Sequence, residues 1–128
     1  MTRIVVIGAG PAGLAAAASA AGGGADVVLV DEGERIGGQF WRHHPVFTDP
    51  RMQHQLGRFG ELQQSLAEVR VLSSTSVWRV EAGEPLRVHI LTGPVDDAGR
   101  RGETLEADAV VIATGAHDRV LPVPGWTL

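Results

Sequence analysis

The first part of the chain alternates between short apolar runs and runs of small residues. Residues 4–7 and 27–30 are aliphatic throughout, which is typical of strands buried on both faces of a parallel sheet. Between them, residues 14–21 are mostly alanine, a strong helix former, and Pro11 falls where proline fits the first turn of a helix. Glycines at 22–24 then end the helix. The pattern therefore predicts a right-handed strand–helix–strand unit.

A second helix is predicted after a stretch at residues 35–48 that has no clear periodicity and is interpreted as a loop. Asp49 is suited to the N-cap and Pro50 to the first helical position. Apolar residues then recur at steps of three and four, which predicts one buried face made of Met52, Leu56, Phe59, Leu62, Leu66 and Val69. We expect an amphipathic core helix from Asp49 to Val69.

From residue 71 the apolar pattern changes to alternation, which is typical of strands. Residues 77–80 and 86–90 have this pattern, and turn residues cluster between 93 and 102. We interpret residues 74–105 as a small antiparallel meander, followed by a buried strand at 109–113. The predicted fold is therefore α/β, a Rossmann-type parallel sheet with an antiparallel β-meander as crossover.

Composition narrows the classes of partner. A chain of 128 residues has room for about one domain, and its net charge of −4 argues against nucleic acid or an anionic membrane as partner. Cysteine is absent, which excludes a disulfide, a thiolate metal site and a redox-active dithiol within the chain. Residues 4–25 are uncharged, but glycine and proline interrupt them, so we expect no membrane span. The absence of cysteine suits a reducing cytoplasm, which is the location we expect.

The first motif with chemical meaning is a glycine-rich turn, Gly8-Ala9-Gly10-Pro11-Ala12-Gly13, between the first strand and the first helix. Gly8 permits the tight turn, Gly10 lets the backbone approach a pyrophosphate, and Gly13 lets the helix pack close to the strand. The helix N-terminus supplies N–H groups and partial positive charge for phosphates. The motif therefore predicts a dinucleotide site.

Asp31 follows the second strand, at about the spacing from Gly8 that such sites show. A carboxylate there can accept the hydroxyl hydrogens of an adenosine ribose and would repel a 2′-phosphate, which disfavours NADP. The alternative is that Asp31 only begins a surface turn. These residues alone do not distinguish FAD from NAD.

Two further motifs favour FAD over NAD, through their resemblance to a known family. Gly37-Gly38-Gln39 follows Asp31, and Ala113-Thr114-Gly115 closes the last predicted strand. With the glycine-rich turn, this series resembles the flavoprotein family of pyridine-nucleotide–disulfide oxidoreductases. In that family the double glycine packs near the FAD pyrophosphate and ribityl chain, the Ala-Thr-Gly segment returns to the same site, and a meander forms the crossover. Residues 31–39 and 113–128 look like the flavin subunits grouped with opine oxidases, hydrogen cyanide synthase and amine dehydrogenases.

The resemblance implies FAD as the cofactor and a small-molecule substrate such as an amine or amino-acid derivative. The predicted cofactor-binding residues are Gly8, Gly10, Pro11, Ala12, Gly13, Asp31, Glu32, Gly38, Gln39, Val77, Ala113, Thr114 and Gly115. No catalytic acid or base is predicted, because in flavoenzymes the isoalloxazine carries the redox chemistry and the protein binds and orients it.

Departures from the family pattern bear on domain organisation. No cysteine pair follows Gly38, no second GxGxxG occurs, and the Gly-Asp motif that completes the family's flavin site is absent. We expect residues 1–128 to be an incomplete N-terminal FAD-binding domain, with NAD(P)H possible only in a full-length relative. Three hypotheses remain: part of a catalytic flavoenzyme, a short subunit whose flavin contacts come from a partner chain, or a plain NAD-binding module.

Several other residues have side chains that could bind a metal ion or a ligand. The pair His43-His44, with His54 and Asp49 nearby in sequence, lacks the spacing of a metal site, so no metal is predicted. Trp41-Arg42 follows the double glycine and is a candidate for a place beside the flavin. Arg100-Arg101 is interpreted as a solvated hairpin tip.

Overall fold

The structure is a computed structural model that describes residues 1–42, 46, 49, 51, 53 and 55–116. In chain order its elements are β1 (Arg3–Ile7), α1 (Pro11–Gly22), β2 (Asp26–Val30), α2 (Leu56–Gln64), β3 (Arg70–Leu72), β4 (Thr75–Glu81), β5 (Leu86–Thr92), β6 (Arg101–Ala107) and β7 (Ala109–Ile112). The strands form two sheets, one of four strands and one of three.

The four-stranded sheet is parallel throughout, with strand order β3-β2-β1-β7. Ile4 in β1 pairs with Val27 on one side and with Ala109 on the other, so β1 lies in the middle of the sheet. The three uniformly aliphatic runs of the sequence form the three strands β1, β2 and β7, and the Rossmann-type prediction is confirmed. Strand β3 was not predicted, because three residues are too few to show a period.

Helices cover one face of this sheet. Leu14 and Ala17 of α1 are fully buried against Val6 and Leu29, and Phe59 of α2 joins the same cluster. Burial of this apolar surface is the main stabilising contribution on this side of the molecule.

The opposite face is covered by the antiparallel sheet β4-β5-β6. Val5 and Val30 of the parallel sheet pack there against Val88, Ile90 and Leu105. The predicted meander over 74–105 is confirmed, with strands that span residues 75–107. It serves as the second cover of the parallel sheet, which accounts for aliphatic residues on both faces of the central strands.

The second helix is shorter than predicted: α2 runs from Leu56 to Gln64, not from Asp49 to Val69. Gln55 has φ of 50°, a left-handed conformation through which a right-handed helix cannot continue. Asp49 Oδ1 accepts a hydrogen bond from Arg51 N (3.0 Å), which is a local turn and not a helix cap. Pro50 and Met52 lie outside the described residues.

Part of the apolar face of the predicted helix is nevertheless buried, at Phe59, Leu66 and Val69. Leu66 and Val69 lie beyond the end of α2, in turns closed by bonds from Leu66 N to Gln63 O and from Val69 N to Leu66 O. Both pack with Phe59 into the helical side of the core. The spacing of apolar residues thus predicted the burial of Phe59, Leu66 and Val69 correctly and the length of the helix wrongly.

Candidate functional site

A large cleft of about 1270 Å³ opens where β1, β2 and β7 end. In a parallel sheet the carboxyl ends of neighbouring strands meet at one edge, and the loops that follow them converge there. All of the predicted cofactor residues except Gly13 and Val77 line this cleft, namely Gly8, Gly10, Pro11, Ala12, Asp31, Glu32, Gly38, Gln39, Ala113, Thr114 and Gly115. Segments more than a hundred residues apart in sequence are therefore brought together.

Two glycines of the turn are required by the fold itself. Gly8 has φ of 103°, and a Cβ there would lie 2.3 Å from Ala113 O at the end of β7. A Cβ on Gly13 would lie 1.7 Å from Gly8 O, because α1 approaches the end of β1 closely. Gly13 is buried and does not line the cleft, which fits the packing role predicted for it.

The other glycines leave space for a ligand. A Cβ on Gly10 would meet nothing nearer than Gly38 Cα at 4.0 Å, so the fold has room for a Cβ there. Gly38 has φ of 60°, and its own Cβ would lie 2.9 Å from Gly10 Cα. Together Gly10 and Gly38 form a wall of bare backbone along the cleft.

The N-terminus of α1 meets this wall and is open to an anion. Leu14 N donates to Gly10 O (2.9 Å), so the N–H groups of Ala12 and Gly13 belong to the first turn, which lacks intrahelical acceptors. No side chain caps the helix and its first turn carries no acidic residue. The residues present therefore fit a pyrophosphate, which needs N–H donors and close approach to backbone.

Asp31 lines the cleft and also holds two loops. Its Oδ1 accepts a hydrogen bond from Ala9 N (2.8 Å) and its Oδ2 from Gly33 N (3.0 Å). An ionised carboxylate has about four acceptor positions, so capacity remains for ligand hydroxyls. The bond to Ala9 fixes the glycine-rich turn, a role that the sequence did not predict.

Glu32 lines the same cleft and is held by the meander. Its Oε1 accepts a hydrogen bond from Ser76 Oγ (2.9 Å), and Ser76 Oγ accepts one from Arg100 Nη2 (2.7 Å). The prediction of Arg100-Arg101 as a solvated tip is wrong for Arg100, which is half-buried with its guanidinium bonded to Ser76 and to Leu91 O. No sequence signal links residues that lie 44 and 24 positions apart.

Aromatic side chains line the part of the cleft that follows the double glycine. Trp41 is only 4% exposed, and its ring packs 5.6 Å from that of Phe40 and 5.4 Å from that of Phe59. Arg42 also lines the cleft. Phe40, which was not among the predicted candidates, also lines the cleft and is 51% exposed.

Comparison with known proteins agrees with this geometry. Residues 2–127 match the family described as pyridine nucleotide-disulphide oxidoreductase. The chain belongs to this family. The resemblance seen in the sequence is thus confirmed over nearly the whole chain.

Relatives within the pyridine nucleotide-disulphide oxidoreductase family are longer than this chain. It is 42% identical to the A subunit of opine oxidase from Agrobacterium tumefaciens over 136 residues, covering 98% of the chain and 26% of the relative. It is 35% identical to the HcnB subunit of hydrogen cyanide synthase from Pseudomonas aeruginosa over 132 residues, covering 98% and 27%. The chain spans about a quarter of the length of these opine oxidase and hydrogen cyanide synthase subunits, and 13% of the α subunit of sarcosine oxidase from Corynebacterium.

Solved structures of oxidoreductases also superpose on this chain. L-proline dehydrogenase from P. horikoshii superposes with a TM-score of 0.73 at 27% identity, over 94% of this chain and 24% of that one. An FAD-dependent pyridine nucleotide-disulphide oxidoreductase from Desulfovibrio vulgaris superposes with a TM-score of 0.55 at 28% identity, over 89% and 24%. The family and these relatives support FAD as the cofactor of this fold.

Val77 is a predicted cofactor-binding residue that does not line the cleft. Its side chain packs against the core between the meander and the parallel sheet, with Val5 and Val88 among the residues of that cluster. Strand alternation points it inward, so the side chain does not line the cleft.

Two further features are absent from the described part of the chain. Among the residues described there, no three His, Asp or Glu side chains cluster as metal ligands would. His43, His44 and His54 lie outside that part. No helix within it has the length and hydropathy needed to cross a membrane.

Proposed function

We propose that the cleft binds FAD and that the chain is the FAD-binding portion of an oxidoreductase acting on a small molecule. One observation carries the proposal. The glycine-rich turn, Asp31, the double glycine and the Ala-Thr-Gly segment, which are far apart in sequence, line a single cleft at the carboxyl edge of the parallel sheet. That edge is where open α/β sheets bind dinucleotides.

Each part of the cleft has a chemical role in this proposal. Gly10, Gly38 and the first turn of α1 receive the pyrophosphate, and Asp31 accepts hydrogen bonds from the adenosine ribose. Gln39 and the 113–115 segment, which line the same cleft, would contact the ribityl chain. Bound FAD supplies the redox chemistry, and the chain's own residues bind and orient it.

We propose an amine or amino-acid derivative as the substrate class. Support comes from the relatives, which include opine oxidase, sarcosine oxidase and an L-proline dehydrogenase. Sarcosine and proline are both amino acids with a secondary amine. The exposed aromatic side chain of Phe40 offers an apolar surface in the cleft for a planar ring or an aliphatic substrate.

We also propose that this is an incomplete FAD-binding domain, and that residues outside this chain complete the flavin site. Either a second polypeptide or a C-terminal part of the same one would supply them, and NAD(P)H would bind only in a full-length relative. Two observations support this: related proteins are named as subunits, and the sequence has a single GxGxxG motif.

Titration of the purified chain with FAD, FMN, NAD⁺ and NADP⁺ tests the proposal. We expect FAD to bind most tightly, with a change in its visible absorption band, and NADP⁺ to bind most weakly. Tighter binding of NAD⁺ than of FAD would support the second candidate, a plain NAD-binding module, which the glycine-rich turn and Asp31 also fit.

A further inference from the structure

The outer face of the meander, the side that faces away from the parallel sheet, carries an exposed tryptophan. Alternation along β5 sends Val88 and Ile90 into the core, so the residues next to them in sequence face outward. In β4 the register shifts between Val77 and Arg79, as in a β-bulge, where two consecutive residues lie opposite one residue of the partner strand. Trp78, within this bulge, is 59% exposed. A large aromatic ring is therefore left in water on a flat sheet face.

The ring of Trp78 is held in place by its neighbours. It packs 5.2 Å from the ring of His89, measured between centroids. His89 is in turn fixed at both ring nitrogens, because Nε2 donates to Glu81 Oε2 (3.1 Å) and Nδ1 forms a hydrogen bond with Thr104 Oγ1 (3.0 Å). A side chain that is already ordered loses little conformational entropy when a partner covers it. Trp78 is therefore suited to be the anchor of a protein contact.

The charges of this face indicate which partner would fit it. Glu81 and Arg87 pair with each other (3.6 Å). Arg79 on β4 and Glu106 on β6 also point outward, since they lie opposite His89 and Arg87 in the ladder. Neither of them forms an ion pair with any residue that the structure describes. A complementary surface would therefore present an acidic group to Arg79 and a basic group to Glu106.

A second copy of the chain meets this requirement. Arg79 and Glu106 lie on opposite sides of a point on β5 between Arg87 and His89. A twofold axis through that point, parallel to the face, places Arg79 of each copy over Glu106 of the other, and Trp78 against the other copy's β6. Every contact then occurs twice. Three strands of seven residues give a face of about 14 by 24 Å, which corresponds to a small, weak interface of less than about 1,200 Å² in total.

We propose that the outer face of the meander is a self-association surface, on which two copies of the chain dock through Trp78, Arg79 and Glu106. The contact is centred toward the amino edge of the parallel sheet, since Glu106 borders a groove there with Arg3 and Asp108. The cleft opens at the opposite, carboxyl edge and stays accessible in this dimer. The inference is therefore independent of the ligand that the cleft binds.

Sedimentation velocity of the purified chain measures this self-association. We expect a concentration-dependent shift from the 13.5 kDa monomer to the dimer, with half of the protein dimeric at about 10–300 µM. Trp78→Ala should abolish the shift over this range, because the anchor is lost. Arg58→Glu, a charge reversal at an exposed position of α2, is the matched control and should dimerise as the parent does.

Charge reversal tests the twofold arrangement. Arg79→Glu and Glu106→Arg should each weaken association at least about tenfold, because each sets like charges opposite one another. An equimolar mixture of these two variants should dimerise as the parent does, and so should the double variant, since opposite charges then meet at both contacts. Circular dichroism melting verifies that each variant is folded. A parent that stays monomeric over these concentrations, or a dimer that Trp78→Ala leaves unchanged, would overturn the proposal, and a mixture that stays monomeric would overturn the pairing of Arg79 with Glu106.

Discussion

At the scale of single residues, the three glycines of the glycine-rich turn are required for different physical reasons. Gly8 and Gly13 are fixed by contacts inside the fold, since a Cβ on either would overlap backbone atoms. Gly10 has room for a Cβ, and the space it leaves is the cleft. In this motif, Gly8 and Gly13 are therefore needed for stability, and Gly10 is needed for ligand binding.

Substitution at Gly10 and Gly13 should separate these duties. We expect Gly10→Val to keep the parent's melting temperature within a few degrees and to lose FAD binding, because the side chain fills the space for the pyrophosphate. Gly13→Ala should destabilise the fold by about 3 kcal/mol or more, since its Cβ would overlap Gly8 O. Circular dichroism melting and FAD titration measure the two effects, and FAD binding by Gly10→Val with parental affinity would refute the assignment of the motif.

Asp31 should contribute to both properties. Asp31→Ala removes a charge-assisted contact with the ribose, which should weaken FAD by about ten- to hundredfold, or about 1.5–3 kcal/mol. It also removes the acceptors for Ala9 N and Gly33 N, so a loss of stability of about 1–3 kcal/mol is expected as well. Asp26→Ala, which changes a carboxylate that pairs with Arg3 outside the cleft, is the control for affinity. Unchanged FAD affinity of Asp31→Ala would place the ribose contact elsewhere.

At the scale of elements, the meander is the part whose packing can be tested most directly. Ile90 of β5 is fully buried between the meander and the parallel sheet, with Val5 and Val30 in the same cluster. Val80 of β4 lies in the same small sheet but is 44% exposed. Both residues therefore lie in strands of the meander, but Ile90 is buried and Val80 is partly exposed.

Truncation of these two side chains should have unequal effects. Ile90→Ala should lower the free energy of unfolding by about 2–5 kcal/mol, from lost burial and the cavity left behind. Val80→Ala should lower it by less than about 1 kcal/mol, because that side chain is already partly hydrated. Urea denaturation monitors both, and equal losses would contradict the packing of the meander on the sheet.

At the scale of the whole molecule, the covering of both faces of the parallel sheet leaves the carboxyl edge of its strands as the place for a nucleotide. Helices α1 and α2 lie on one face of the parallel sheet and the meander lies on the other, so the carboxyl edge of the strands stays open. The sequence contains one GxGxxG motif, which serves that edge. With one such motif, the chain can bind one dinucleotide at the carboxyl edge of its parallel sheet.

This organisation predicts that the 128-residue chain does not catalyse turnover with NADH and FAD. Hydride transfer needs the nicotinamide held against the flavin, with reacting atoms about 3–3.5 Å apart, and one dinucleotide motif cannot hold both cofactors. A steady-state assay of NADH oxidation, with free FAD as the control, measures this. Protein-dependent rates well above that of free flavin would contradict the prediction.

The sequence by itself determined the elements whose signal is local. Aliphatic runs predicted β1, β2 and β7, the glycine-rich turn and Pro11 predicted the start of α1, and alternation predicted the meander, because in each case neighbouring residues create the pattern. These elements were enough to predict the sheet edge at which most of the site residues meet. The apolar spacing at residues 59–69 also predicted burial, since burial depends on side-chain chemistry and not on helix length.

Only the tertiary structure decided the features that depend on distant partners. Strand β3 is defined by its pairing with β2, and the start of α2 by the left-handed conformation of Gln55. Asp31 holds Ala9 across 22 residues, and Arg100 reaches Glu32 through Ser76, while Val77 faces the core and not the cleft. The physical reason is common to all of them: each is fixed by the three-dimensional approach of segments that no local pattern relates.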